Sequence, residues 1–131
     1  MSELWPVIHT YTRQQAIEDG VLVELSNAGE AGIPWPTAIT AAARNEAIAW
    51  EETNRALQDE VGRAWDVLVC IRFALARQPR EQLLEHRIPV TVLRVPNTPR
   101  ATTARALQLV AYVGPGDAGE AVVTVMLPDE D

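Results

Sequence analysis

Residues 59–78, DEVGRAWDVLVCIRFALARQ, constrain this chain more than any other stretch. Val61, Ala64, Trp65, Leu68, Ile71 and Leu75 recur at steps of three and four, the spacing that lines one face of an α-helix. Val67, Val69, Phe73 and Ala76 widen that stripe, and after Asp66 only Arg72 and Arg77 interrupt it. A helix this apolar is expected to be covered on several sides. The remaining segments must supply the cover.

Upstream, Thr12 and Gln15 have the spacing of a capping box, which predicts a helix over 13–19 closed by Gly20. VLVEL at 21–25 reads as a short strand or an extended segment packed on the core, at the sheet edge or apart from it. Gly29, Gly32, Pro34 and Pro36 mark 26–36 as a loop. Thr37 is expected to cap a second helix, TAITAAARNEAIAWEE, with Ile39, Ala43, Ala47, Ile48 and Trp50 on its apolar face. A turn near Thr53 and Asn54 then brings the central helix back antiparallel to it. One further helical turn is expected within 80–87.

The last third changes period. IPVTVLRV (88–95), ARALQLVAYV (104–113) and EAVVTVML (120–127) are β-prone runs separated by turn residues. Alternation places Leu107, Leu109, Ala111 and Val113 on one face of the middle strand, and Ala106, Gln108, Val110 and Tyr112 on the other. The expected architecture is α+β in a single domain, 1–131: N-terminal helices, including an antiparallel helix pair, packed on a C-terminal three-stranded antiparallel meander.

A chain of 131 residues buries a core without disulfide or metal support. The one cysteine, Cys70, sits in the apolar stripe and reads as a small buried hydrophobe in a reducing compartment. MSELWPVIHT lacks the pattern of a signal peptide, and the apolar run 67–76 is too short to span a bilayer. The expectation is a soluble cytoplasmic protein. Eighteen acidic residues against eleven basic ones give a formal charge of -7, and every basic residue is arginine. That field repels phosphate backbones, so direct nucleic-acid or membrane binding is not expected, and basic protein surfaces are the favoured partners.

The run YTRQQAIEDGVLVEL (11–25) is followed in order by QDEVGRAWDVL (58–68) and VGPGDAGEAVVTVMLPDED (113–131). Together they resemble a family of short, uncharacterised proteins encoded on bacterial plasmids, integrative elements and phages. The resemblance implies a setting, the accessory genes of mobile DNA, where small acidic proteins act against host defence. It carries no activity over to this chain, which departs from the family pattern between 79 and 87 and in its second helix.

Catalytic patterns are thin. Gly114, Gly116 and Gly119 spell G-x-G-x-x-G, but a strand follows where a phosphate-binding loop needs a helix, and Pro115 removes an amide. The segment is expected to be a hairpin turn. His9 and His86 have no cysteine or second histidine at ligand spacing, and Ser2 and Ser26 lie in terminal or loop sequence. The pairs Glu51–Glu52 and Asp59–Glu60 lack calcium-loop spacing. No cofactor or metal is expected. Trp35, between two prolines, is either an interface anchor or a packed plug, while Trp50 and Trp65 are expected in the core.

The acidic residues are the remaining lead. Glu46, Glu51, Glu52, Asp59, Glu60 and Asp66 cluster around the expected helix junction. On one surface they would imitate duplex phosphates and occupy a basic groove. The competing reading is a solvated salt-bridge ladder with Arg55 and Arg63 at helical spacing. The expected function is therefore a non-enzymatic mobile-element accessory protein that binds and inhibits a host defence complex of CRISPR or restriction type, through those acids. The alternative is a structural or regulatory subunit for plasmid or phage maintenance acting through apolar contacts around Trp35.

Overall fold

The computed structural model describes residues 11–51 and 58–130. The turn expected near Thr53 and Asn54 and the candidate Glu52 lie outside them. Helix α1 (Arg13–Glu18) opens with the capping box: Thr12 accepts from the Gln15 amide, and the Gln15 side chain accepts from the Thr12 amide. Gly20, at φ 78°, turns the chain into strand β1 (Leu22–Glu24). Strand β2 (Thr37–Thr40), helix α2 (Ala41–Ala47) and helix α3 (Glu60–Ala76) follow. A 3₁₀ turn (Arg80–Gln82) leads to β3 (Arg87–Arg94), β4 (Arg105–Pro115) and β5 (Ala121–Met126).

β3, β4 and β5 form the expected antiparallel meander, but they are not the whole sheet. Five strands run in the order β1-β2-β5-β4-β3, with β2 parallel to β5 and β1 antiparallel to β2. The three-stranded expectation is thus corrected to a mixed five-stranded sheet, and 21–25 contributes its edge strand. The error began at Thr37–Thr40, read from sequence as the start of a helix. Thr37, Ala38 and Ile39 are buried on both sides, and a short apolar run has no periodicity that separates strand from helix. Pairing decides instead: β2 satisfies the backbone edge that β5 would otherwise leave open. Thr40, not Thr37, caps the following helix by accepting from the Ala43 amide.

α2 is therefore only seven residues long, too short to form the expected antiparallel pair along α3. Both helices lie on the same sheet face, where α3 packs chiefly on β3. A row of paired residues crosses that face through all five strands: Val23, Ile39, Val125, Ala111 and Ile88. Val67, Leu68, Ile71 and Leu75 of α3 close over it.

Among the described residues, α3 is covered on one side only. Val61, Trp65 and Phe73 are 72 %, 40 % and 52 % exposed, against the expectation of a helix buried on several sides. One helical layer over one sheet leaves the opposite helix face to solvent. Trp50 lies beyond α2 and is half-buried. Among the described residues no helix is long and apolar enough to cross a membrane.

Leu68→Ala should lower unfolding stability by about 2–5 kcal/mol in urea titrations, since Leu68 is buried to 1 % exposure. Val61→Ala, on the same helix, should change it by less than about 0.5 kcal/mol. Equal losses would contradict this orientation of α3.

Candidate interaction surface at the start of helix α3

Helix α3 begins where three chain segments meet. Asp59 Oδ1 accepts from the Gly62 amide at 2.7 Å and caps the helix. Glu60, one residue on, accepts from Trp50 N at 3.0 Å and from Arg44 Nη2 at 2.8 Å. The Trp50 amide, then the Arg44 charge, hold its carboxyl below the usual glutamate range, against the opposing effect of partial burial.

Arg63 ties the junction together. Its side chain is turned inward, 4 % exposed, with Nε donating to Ile48 O at 2.8 Å and Nη1 to Val95 O at 2.8 Å. Nη1 also reaches Gln58 Oε1 at 3.3 Å, and Cζ lies 4.8 Å from the centroid of the Trp50 ring. One guanidinium thus joins the end of α2, the end of β3 and the first turn of α3. Its Nη2 is buried without a hydrogen-bond partner, leaving the Trp50 π face as part of its compensation. Burial, then the charge of Arg94, pulls its pKa down from the ordinary value. An arginine remains protonated here at physiological pH.

This inward turn overturns the solvated ladder reading for Arg63, which serves backbone carbonyls in place of Asp59 and Asp66. Arg55, its other rung, lies outside the described residues. A sequence signal for the burial existed: counting back by fours through Leu75, Ile71 and Val67 arrives at position 63.

The clamp brings four of the expected acidic residues to one corner. Glu46 is exposed and lies 3.6 Å from Arg94 Nη2, while Arg94 Nε donates to its backbone carbonyl at 3.0 Å. Glu51 is exposed, with its amide donating to Asn97 Oδ1, and it follows directly on the Trp50 amide held by Glu60. Asp59 and Glu60 complete the group. Asp66 is exposed about two turns along α3. Trp35 is not part of this surface: it is half-buried against the core, in a groove shared with Ile33, Arg72, Leu75 and Leu83.

Beside the corner, a cleft of about 260 Å³ opens between β1, α2 and α3, lined by Glu24, Arg44, Ile48, Glu60, Val61 and Ala64. Its polar lining includes Glu24, Ser26 and Asn27 together with the Arg44–Glu60 ion pair, which is already engaged within the fold. Elsewhere, His86 is exposed with Nδ1 at 2.8 Å from Leu84 O, and His9 lies outside the described residues. Gly116 and Gly119 form the expected hairpin turn, with Gly119 at φ 84°. Tyr11 donates its hydroxyl to Asp19. Cys70 is half-buried, and that burial raises its thiol pKa. Among the described residues, no group of three or more His, Cys, Asp or Glu is placed to hold a metal ion.

These features define an α+β protein in which a mixed five-stranded sheet carries one long helix on one face, fixed at its start by a buried arginine. The chain belongs to the family of unknown function DUF6573, whose model matches residues 3–131. No curated protein and no solved structure matches it.

Arg63→Met should destabilise the protein by about 2–5 kcal/mol, because it strands two buried carbonyls. Arg63→Lys should recover only part of this, since one ammonium cannot reproduce the fork. Glu60 has a depressed folded-state pKa, so its contribution is present above the ordinary glutamate range and is lost as pH falls through the lower folded value. Glu60→Gln should accordingly remove stability at neutral pH and flatten the acid limb of a stability–pH profile. An unchanged acid limb would count against the Trp50 and Arg44 contacts.

Proposed function

We propose that this protein is a non-enzymatic accessory factor of mobile DNA that binds a host defence complex, of CRISPR or restriction type, and inhibits it through contact with a basic surface. The observation that carries the reading is the gathering of Glu46, Glu51, Asp59 and Glu60 around the Arg63 clamp. A formal charge of -7 adds long-range attraction to a basic partner. The similarity of three ordered sequence blocks to proteins of plasmids, integrative elements and phages supplies the setting.

The charge is not spread as a uniform row. Arg44 pairs with Glu60 and Arg94 approaches Glu46, leaving Glu51 and Asp59 as the corner's more available carboxylates. This favours a compact acidic contact over an extended imitation of duplex phosphates. Compact contacts steer association and set specificity. The alternative, a structural or regulatory subunit for plasmid or phage maintenance, gains from the exposure of Val61, Trp65 and Phe73. Its apolar surface falls on α3, not around Trp35.

Expression of the protein in cells bearing a CRISPR or restriction system should restore plating of a targeted phage. Glu51→Lys with Glu52→Lys should abolish that effect while leaving the thermal transition in place, because the helix start is held by the side chains of Asp59 and Glu60, which both stay in the variant. No restoration by the unaltered protein, or full activity in the folded double variant, would overturn the acidic reading. Complexes formed through this corner should weaken with rising salt, whereas apolar association should not.

A further inference from the structure

At the end of α3 away from the acidic corner lies a groove of a different kind. It has a volume of about 260 Å³ and forms where the loop 32–35 meets the last turns of α3 and the segment that follows them. Ile33, Trp35, Leu75, Ala76 and Leu83 give it apolar walls, and among the described residues that line it Arg72 alone is charged. Apolar walls with one placed polar group are the make-up of a small-molecule site, in which the walls supply burial and the polar group sets orientation.

Arg72 is held by its stem and unsatisfied at its head. Gly32, at φ 94°, lets the stem pass so closely that a Cβ there would stand 2.8 Å from Arg72 Cδ. The Phe73 ring centroid lies 5.3 Å from Cζ. Neither contact uses the guanidinium N–H groups, and among the described residues none of them donates to an acceptor and no carboxylate pairs with them. Arg44, Arg63 and Arg94 differ in this respect, since each serves an acceptor within the fold. The surroundings are locally basic: from 67 to 80 the chain carries Arg72, Arg77 and Arg80 and no acid. The overall charge of -7 repels anions at a distance, but salt screens that field beyond about 8–10 Å, so the nearest charges decide.

We infer that this groove binds a small apolar monocarboxylate, its carboxylate accepting from the Arg72 fork and its hydrocarbon or aromatic body lying between Trp35, Leu75 and Leu83. A planar guanidinium meets a carboxylate with two parallel hydrogen bonds, a match that a neutral amide does not make. The volume lies below the usual range for drug-sized ligands and suits about ten to fourteen non-hydrogen atoms. Ligands of that size in an open groove bind with dissociation constants of about 0.1–10 mM. The groove shares no residue with the acidic corner, so Glu51→Lys with Glu52→Lys should leave its binding unchanged.

The test is an NMR titration of the full isotope-labelled chain with 4-phenylbutyrate, octanoate and indole-3-propionate, read at the Trp35 indole N–H signal, which Trp35→Phe identifies. The expected result is a saturable shift with at least one of these acids, and binding at least about tenfold weaker for the matching primary amide. Arg72→Gln should weaken the acid by about tenfold or more, and Arg72→Lys should recover part of the loss. Ala76 is exposed, so Ala76→Phe should fill the groove, keep the fold and Arg72, and block binding. No saturable shift with any of the three acids, equal binding of acid and amide, or unchanged binding in Arg72→Gln would overturn the inference. Tighter binding of an acetyl-Gly-Gly-Phe peptide than of every free acid would also overturn it, by assigning the groove to the C-terminus of a protein.

Discussion

Much of this structure depends on where one guanidinium was placed. Arg63 donates to the carbonyl that ends α2 and to one just beyond β3, while its own backbone belongs to the first turn of α3. Burying that charge is costly, and only well-placed acceptors make it tolerable. Two carbonyls, a glutamine oxygen and the Trp50 ring provide the compensation. Because the arrangement is satisfied in one geometry, it sets where α3 starts relative to the sheet. The Asp59 cap and the Glu60 contacts then follow as neighbours of a fixed point.

The acidic corner is a by-product of the same geometry. Glu46 precedes the chain end whose carbonyl Arg63 holds, Glu51 follows the amide held by Glu60, and Asp59 caps the helix that Arg63 anchors. The residues that carry the corner's charge therefore also hold the helix start. Asp59 and Glu60 serve the helix start, whereas Glu51 and Asp66 extend from it into solvent. The outward side of α3 differs from this corner in chemistry, with the hydrophobic residues Val61, Trp65 and Phe73 exposed along it.

Local signals were legible wherever a short stretch decides its own conformation. Thr12 with Gln15 forms a cap that needs nothing beyond three residues of chain, and Gly119 adopts the positive φ of its turn. The alternation of β4 was readable because one face meets the helical layer, and Leu109, Ala111 and Val113 are buried there as expected. The candidate acids were legible as a cluster in sequence. That four of them meet around a buried arginine was not, since the position of Arg63 was readable while its partners Ile48 and Val95 lie in other segments.

The sequence by itself determined the local elements: the capping box, the long amphipathic helix, the C-terminal meander and its in–out register. These rest on residue periodicity and turn chemistry, which act over a few positions. Tertiary structure alone decided that Thr37–Thr40 is a strand, because its preference is settled by hydrogen bonds to β5, far away in the chain. It also decided which side of α3 faces the sheet. A helix apolar around much of its circumference offers more than one stripe for burial, and the choice fell to the side on which Arg63 reaches two distant carbonyls, leaving Trp65 and Phe73 exposed.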